Sequence, residues 1–160
     1  MLILDGQAAW RRRREEADMK INRRASAAWT GGLKDGKGAI STQSGALGDY
    51  PYGFASRFEG VAGTNPEELL GAAHAGCFTM ALALILEKAG LKADRMDTSA
   101  EVTLEQVDAG FAITAVRLTL RASIPGVDDR QFQDLAGEAK ANCPVSKVLN
   151  AAITLDAALV

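Results

Sequence analysis

Val116, Leu118, Leu120, Ala122 and Ile124 alternate with Arg117, Thr119, Arg121 and Ser123. A period of two predicts a β-strand with one face on a core and the other toward water, ended here by Pro125-Gly126. Ile153, Leu155, Ala157 and Leu159 repeat the pattern as a final strand, and Ser99 to Glu105 shows a shorter alternation. Nearer the N-terminus the texture is of brief extended runs, Ser26 to Trp29, Lys37 to Thr42 and Tyr52 to Phe58. The separators Gly31-Gly32, Asp35-Gly36 and Gly45 to Gly48 are turn chemistry, so these runs predict a meander of short antiparallel strands.

Between the two strand-rich stretches the period changes. From Leu69 to Leu86 there is no charged residue apart from the ionisable His74. Asn65 can cap, Pro66 suits the first helical position and Glu68 stands where a capping box places it, predicting a helix from Pro66 to about Ala89 that stops at Gly90. The segment approaches the length of a membrane span. Its Gly71, His74, Gly76 and Thr79, its many alanines and its neighbouring strands instead predict a central helix buried on nearly all sides. A chain of 160 residues has little else with which to cover such a helix, so a second copy is expected over it. A further helix is predicted from Asp128 or Asp129 to about Ala141, with Phe132, Leu135 and Ala139 on one stripe. Cys143-Pro144 then opens a short one through Leu149. The fold class is α+β.

Charge narrows the function. The 18 basic and 20 acidic residues leave a net charge of -2, which supplies no positive field for collecting phosphates, so no nucleic-acid partner is expected. The run Arg11 to Arg14 is followed at once by Glu15 and Glu16, an arrangement that pairs on a solvated helical face. Residues 1–22 are read as a helical extension and residues 23–160 as the main domain. The apolar MLIL precedes the arginines, the reverse of a secretory signal, so a cytoplasmic protein with no membrane partner is expected.

Two cysteines, Cys77 and Cys143, stand 66 positions apart, and their number alone does not choose between inert core residues and a redox couple. Cys77 lies inside the predicted central helix beside Gly76, where glycine costs about 1 kcal/mol relative to alanine. That cost suggests close approach by another element or a path to the sulfur. Cys143 sits at a helix start, whose free amides favour a thiolate, and on this ground it is the more acidic thiol. Arg57, read as ending a strand with Tyr50, Tyr52, Phe54 and Phe58, and the glutamates Glu67 and Glu68 could supply a guanidinium and a carboxylate that orients it. His74 falls three positions before Cys77, on nearly the same face; a packed or locally hydrogen-bonded imidazole is the plainer reading beside a Cys-His pair. One histidine and two cysteines without ligand spacing make no metal site, and no phosphate loop occurs, so no bound cofactor is expected.

The stretch Gly38 to Ser44 is followed in order by PYGFASRFEG, GTNPEELLGAAHAGCFTMAL, VDAGFAIT and NCPVSKVLNAAITLDAAL. This series, from about Ala25 to the C-terminus, resembles the osmotically inducible protein C (OsmC) family, allied to the organic hydroperoxide resistance proteins. The resemblance implies an intertwined homodimer with antiparallel sheets around long central helices and two equivalent interface sites. It implies a thiol peroxidase in which Cys77 attacks the hydroperoxide, Cys143 resolves the sulfenic acid as a disulfide, Arg57 is the catalytic arginine and Glu67 orients it. This order replaces the ranking by acidity. It also implies an external dithiol reductant, lipoyl-type in related proteins, and an apolar lining expected from Phe54, Phe58, Phe78 and Met80. The alternatives are a small-molecule-binding stress protein with non-catalytic cysteines, and a general disulfide oxidoreductase, for which the CxxC spacing is lacking.

Overall fold

The computed structural model describes residues 19–108 and 110–160. The chain divides into two compact units, one ending at Tyr52 and one running from Gly53 to Val160. The expected N-terminal helix lies almost wholly outside the described residues, and residues 19–22 form neither helix nor strand.

The described part of the first unit is a three-stranded antiparallel meander, β1 (Ala25–Thr30), β2 (Lys37–Thr42) and β3 (Tyr50–Tyr52). Ala25 faces Thr42 and Thr30 faces Lys37. Gly38 lies between Trp29 and Tyr52 in the register, and their rings meet across it with centroids 5.4 Å apart. A Cβ at Gly38 would fall 2.2 Å from the Tyr52 ring, so the aromatic pair closes only because that position has no side chain.

The second unit begins where the sequence reading fails. The predicted strand Tyr52 to Phe58 survives only as the end of β3, and the rest is a short helix, α1 (Phe54–Phe58). Arg57 is therefore a helical residue. Ser56 produces the change: its hydroxyl accepts from the Gly53 amide at 3.0 Å and lies 2.9 Å from the Thr64 carbonyl, folding the segment back where alternation alone suggests extension.

Helix α2 (Pro66–Lys88) follows the sequence signals closely. The Asn65 side chain accepts from the Glu68 amide at 2.8 Å, Pro66 opens the helix, and Gly90 leaves it with a positive φ of 73°. Although apolar all round and long enough by composition to cross a membrane, α2 buries one stripe, Gly71, His74, Phe78, Leu82 and Leu86. The expectation of burial on nearly all sides is not met within one chain: Met80 is 77% and Leu84 53% exposed.

Strands β4 (Arg95–Val107) and β5 (Gly110–Ser123) form a long antiparallel hairpin, with a register shift between Thr103 and Leu104. Gly71 lets α2 approach β4 closely, since a Cβ there would stand 3.3 Å from the Ala100 carbonyl oxygen. Thr79 also donates to Thr98 on β4 at 2.7 Å. After β5 the chain crosses through α3 (Asp129–Asn142) and α4 (Pro144–Val148) before β6 (Ala152–Leu159). The expected antiparallel pairing holds in the meander and in the β4–β5 hairpin, and is corrected at the sheet's third strand, because β6 runs parallel to β5, pairing Val116 with Ile153 and Leu118 with Leu155. Parallel neighbours require a crossover of this kind, and the two helices provide it. Phe78, Leu82 and Leu86 of α2, Leu118, Leu120 and Ala122 of β5 and Phe132, Ala136 and Ala139 of α3 make one core, which includes Cys143.

Candidate active site

The crossover brings the two cysteines together. Cys77 projects from α2, and Cys143 occupies the joint at which α3 ends and α4 begins. Both are free thiols; Cys77 is partly exposed and Cys143 is fully buried. They are within hydrogen-bonding contact of one another. Burial pushes the Cys77 thiol up, the Val145 amide opposes this, and the adjoining Cys143 sulfur raises it further. For Cys143 burial is again the largest single influence and acts upward. The Ser146 amide, the Cys77 thiol, the Ser146 hydroxyl and the Val145 amide together outweigh it, leaving Cys143 below the ordinary thiol range. The amides act at electrostatic range, for no full capping hydrogen bond closes on the Cys143 side chain. In the single chain the more acidic thiol is therefore Cys143, the order given by helix position alone.

His74 is fully buried one turn before Cys77. Its Nε2 lies 2.8 Å from the Ser146 hydroxyl, and burial lowers its pKa, keeping the ring neutral. It is packed and hydrogen-bonded to α4 and is absent from the groups that act on Cys77. Ser146 escaped the sequence reading, although its place three residues after Cys143, at the third position of a helix, is the signal that could have found it.

Arg57 and Glu67 also meet. The Arg57 Nη2 is 2.6 Å from Glu67 Oε1, and Nε lies 3.2 and 3.3 Å from the two carboxylate oxygens. The guanidinium carbon is 5.4 Å from the Phe58 ring centre. Phe58 packs on Phe54 at 4.9 Å and on Phe111 at 5.5 Å. Glu67 and Cys77 share α2 ten residues apart, which is about 15 Å along the helix axis. No guanidinium is among the groups that act on Cys77. One chain thus assembles a thiol pair and an arginine-carboxylate pair without joining them.

Of the expected lining, Phe78 is a fully buried core residue and is corrected accordingly, while Phe58 and Met80 are exposed. Among the described residues, nothing beyond the neighbouring helix backbone comes within 4 Å of a Cβ built at Gly76; that glycine lines an open cleft with Thr79, Met80, Met96 and Thr98. Among the described residues no group of three or more His, Cys, Asp or Glu side chains could hold a metal ion.

The chain is 54% identical over 138 residues to the peroxiredoxin OsmC of Escherichia coli (strain K12), covering 86% of this chain and 96% of that one. It is 34% identical over 88 residues to an organic hydroperoxide resistance protein of Xanthomonas axonopodis pv. citri (strain 306), covering 54% and 60% of the two chains. Among solved structures it is similar to the organic hydroperoxide resistance protein OhrB of Bacillus subtilis, with a TM-score of 0.66, 28% identity, and coverage of 84% of this chain and 98% of that one. The corresponding protein of Elizabethkingia anophelis gives a TM-score of 0.65 at 29% identity, covering 89% and 100%. Residues 58–158 match the OsmC-like protein family, a span that takes in Glu67, Cys77 and Cys143 and begins one residue after Arg57; the chain belongs to that family.

Proposed function

We propose that this protein is a thiol peroxidase that reduces organic hydroperoxides, and hydrogen peroxide, through Cys77 and Cys143. The observation that carries the reading is the contact between a partly exposed and a buried thiol.

Accessibility supports the order of reaction. A peroxide can approach the partly exposed Cys77, whereas Cys143 is sealed in the core. The Cys77 thiolate attacks one peroxide oxygen; the O–O bond breaks, the alkoxide takes a proton to leave as alcohol, and Cys77 becomes a sulfenic acid. Cys143 sulfur then attacks the Cys77 sulfur. Hydroxide departs and takes the Cys143 proton to become water, leaving the disulfide. An external dithiol reopens it by exchange and is itself oxidised.

Attack requires a Cys77 thiolate, and within one chain its surroundings favour the thiol. Arg57 supplies the missing charge in this reading, and the distance of about 15 Å along α2 implies that it comes from the second subunit of a homodimer. The exposed Met80 and Leu84 on α2 are the surface such a subunit would cover. Glu67 holds the guanidinium fork in place. A cytoplasmic location, where disulfides are transient and reductants plentiful, fits such a cycle.

The test is multiple turnover of cumene hydroperoxide and hydrogen peroxide with a dithiol, comparing the native protein with Cys77→Ser and Cys143→Ser. Loss of turnover in both, with a Cys77 sulfenic acid trapped in Cys143→Ser, is expected. Equal background consumption in all three would leave a binding protein with non-catalytic cysteines.

A further inference from the structure

His74 is the buried ionisable side chain that the peroxidase cycle leaves without a task. It sits on α2 one turn before Cys77, yet its hydrogen bond crosses to α4, where Nε2 meets Ser146 Oγ at 2.8 Å. Ser146 lies one helical turn from Cys143, and its hydroxyl is among the groups that draw the Cys143 thiol below its ordinary range. The three residues thus line up toward the thiol used second.

The hydroxyl has one proton to give, and its direction is fixed by its two neighbours. The Nδ1 of His74 is buried with no partner among the described residues. A proton placed there would be a donor with nothing to receive it, and would also turn the Ser146 hydroxyl toward Nε2 and away from sulfur. With the proton on Nε2 both contacts are satisfied: Nε2–H donates to Ser146 Oγ, and Oγ–H donates to sulfur. A neutral ring is what burial enforces, since desolvation lowers the His74 pKa.

We propose that His74 is a positioning residue for the resolving step, orienting the Ser146 hydroxyl so that it donates to Cys143 and favours its thiolate. This rests on the peroxidase reading for its role in turnover, but the hydrogen-bond chain is testable without it. The step served is attack of Cys143 sulfur on the Cys77 sulfenic acid, in which the S–O bond breaks, the S–S bond forms and the oxygen leaves as water. The site therefore has two separately tuned thiols, one by Arg57 and one by His74.

The chain itself is tested in the Cys77→Ser protein, where the serine hydroxyl still faces Cys143 and ultraviolet absorbance of the thiolate follows Cys143 alone. His74→Leu and Ser146→Ala should each lower the thiolate fraction at neutral pH about tenfold, the scale of one hydrogen bond to a charged group. The two combined should add little further, and His74→Gln, which keeps a donor, should restore most of the loss. An unmoved titration in both single variants overturns the proposal, and Ser146→Ala decides it should His74→Leu fail to fold. With Cys77 present, rapid mixing with hydroperoxide should form the sulfenic acid at the native rate in His74→Leu and close the disulfide about threefold more slowly. The effect is smaller than tenfold because a less acidic thiolate is a better nucleophile. Closure at the native rate in both variants overturns the role in resolution. A native protein that forms no sulfenic acid would instead remove the peroxidase reading, while the titration still decides the hydrogen-bond chain.

Discussion

Arg57 and Glu67 are locked in a forked ion pair at the first turn of the helix that presents Cys77 ten residues later. In the proposed dimer a guanidinium held there would meet the Cys77 sulfur of the neighbouring subunit, which gives the arrangement a sharp test. Arg57→Ala and Cys77→Ser should each be impaired on their own, the former roughly a hundredfold in peroxide reduction. Unfolded together and refolded, they should regain activity, because a mixed dimer unites an intact cysteine with an intact arginine. No recovery would place both groups in one chain or take Arg57 out of the reaction.

The exposed side of α2 should be a subunit contact. Met80→Glu sets a charge in a surface that a second copy must desolvate, so sedimentation should show a shift from dimer to monomer with loss of turnover. An unchanged mass would free that face of any such duty.

Phe78 fills the centre of the core with no exposure. Phe78→Ala should cost about 3–5 kcal/mol in urea unfolding, compared at one protein concentration because any dimer couples stability to concentration. A loss below about 1 kcal/mol would mean that the core closes around the gap.

Stability should also depend on pH through His74. Its folded pKa lies below the ordinary imidazole value of 6.5, so in the window beneath that value the unfolded chain binds the proton and the folded one does not. Stability is then complete above about pH 6.5 and falls as pH drops through the window, levelling off below the folded pKa. Unfolding midpoints measured across this range should flatten in His74→Gln. An identical slope would show that His74 is not the group responsible.

Elements with local instructions were legible in the sequence. Asn65, Pro66 and Gly90 bound α2, and the alternation from Val116 marks the second half of β5, because capping and period two act over a few residues. The short helix around Arg57 was hidden, since it depends on Ser56 meeting the Thr64 carbonyl eight residues away. The direction of β6 was hidden too: alternation marks a strand and its buried face but not which way it runs beside its neighbour. At the site, each cysteine could be suspected from its own surroundings. Their meeting came from the crossover through α3 and α4, and the part of Ser146 from its bond to His74, neither of which is a property of nearby sequence.

Cys143 belongs to two helices at once, the last residue of one and the first of the next. Joining it to Cys77 fastens the middle of α2 to that joint across 66 positions of chain, a loop whose closure removes about 4 kcal/mol of freedom from the unfolded state. On the proposed cycle the protein should thereby alternate between a more pliant reduced form and a braced oxidised one. It should be hardest to melt just after it has met a peroxide, and the reductant that releases it for another turn should also loosen its fold.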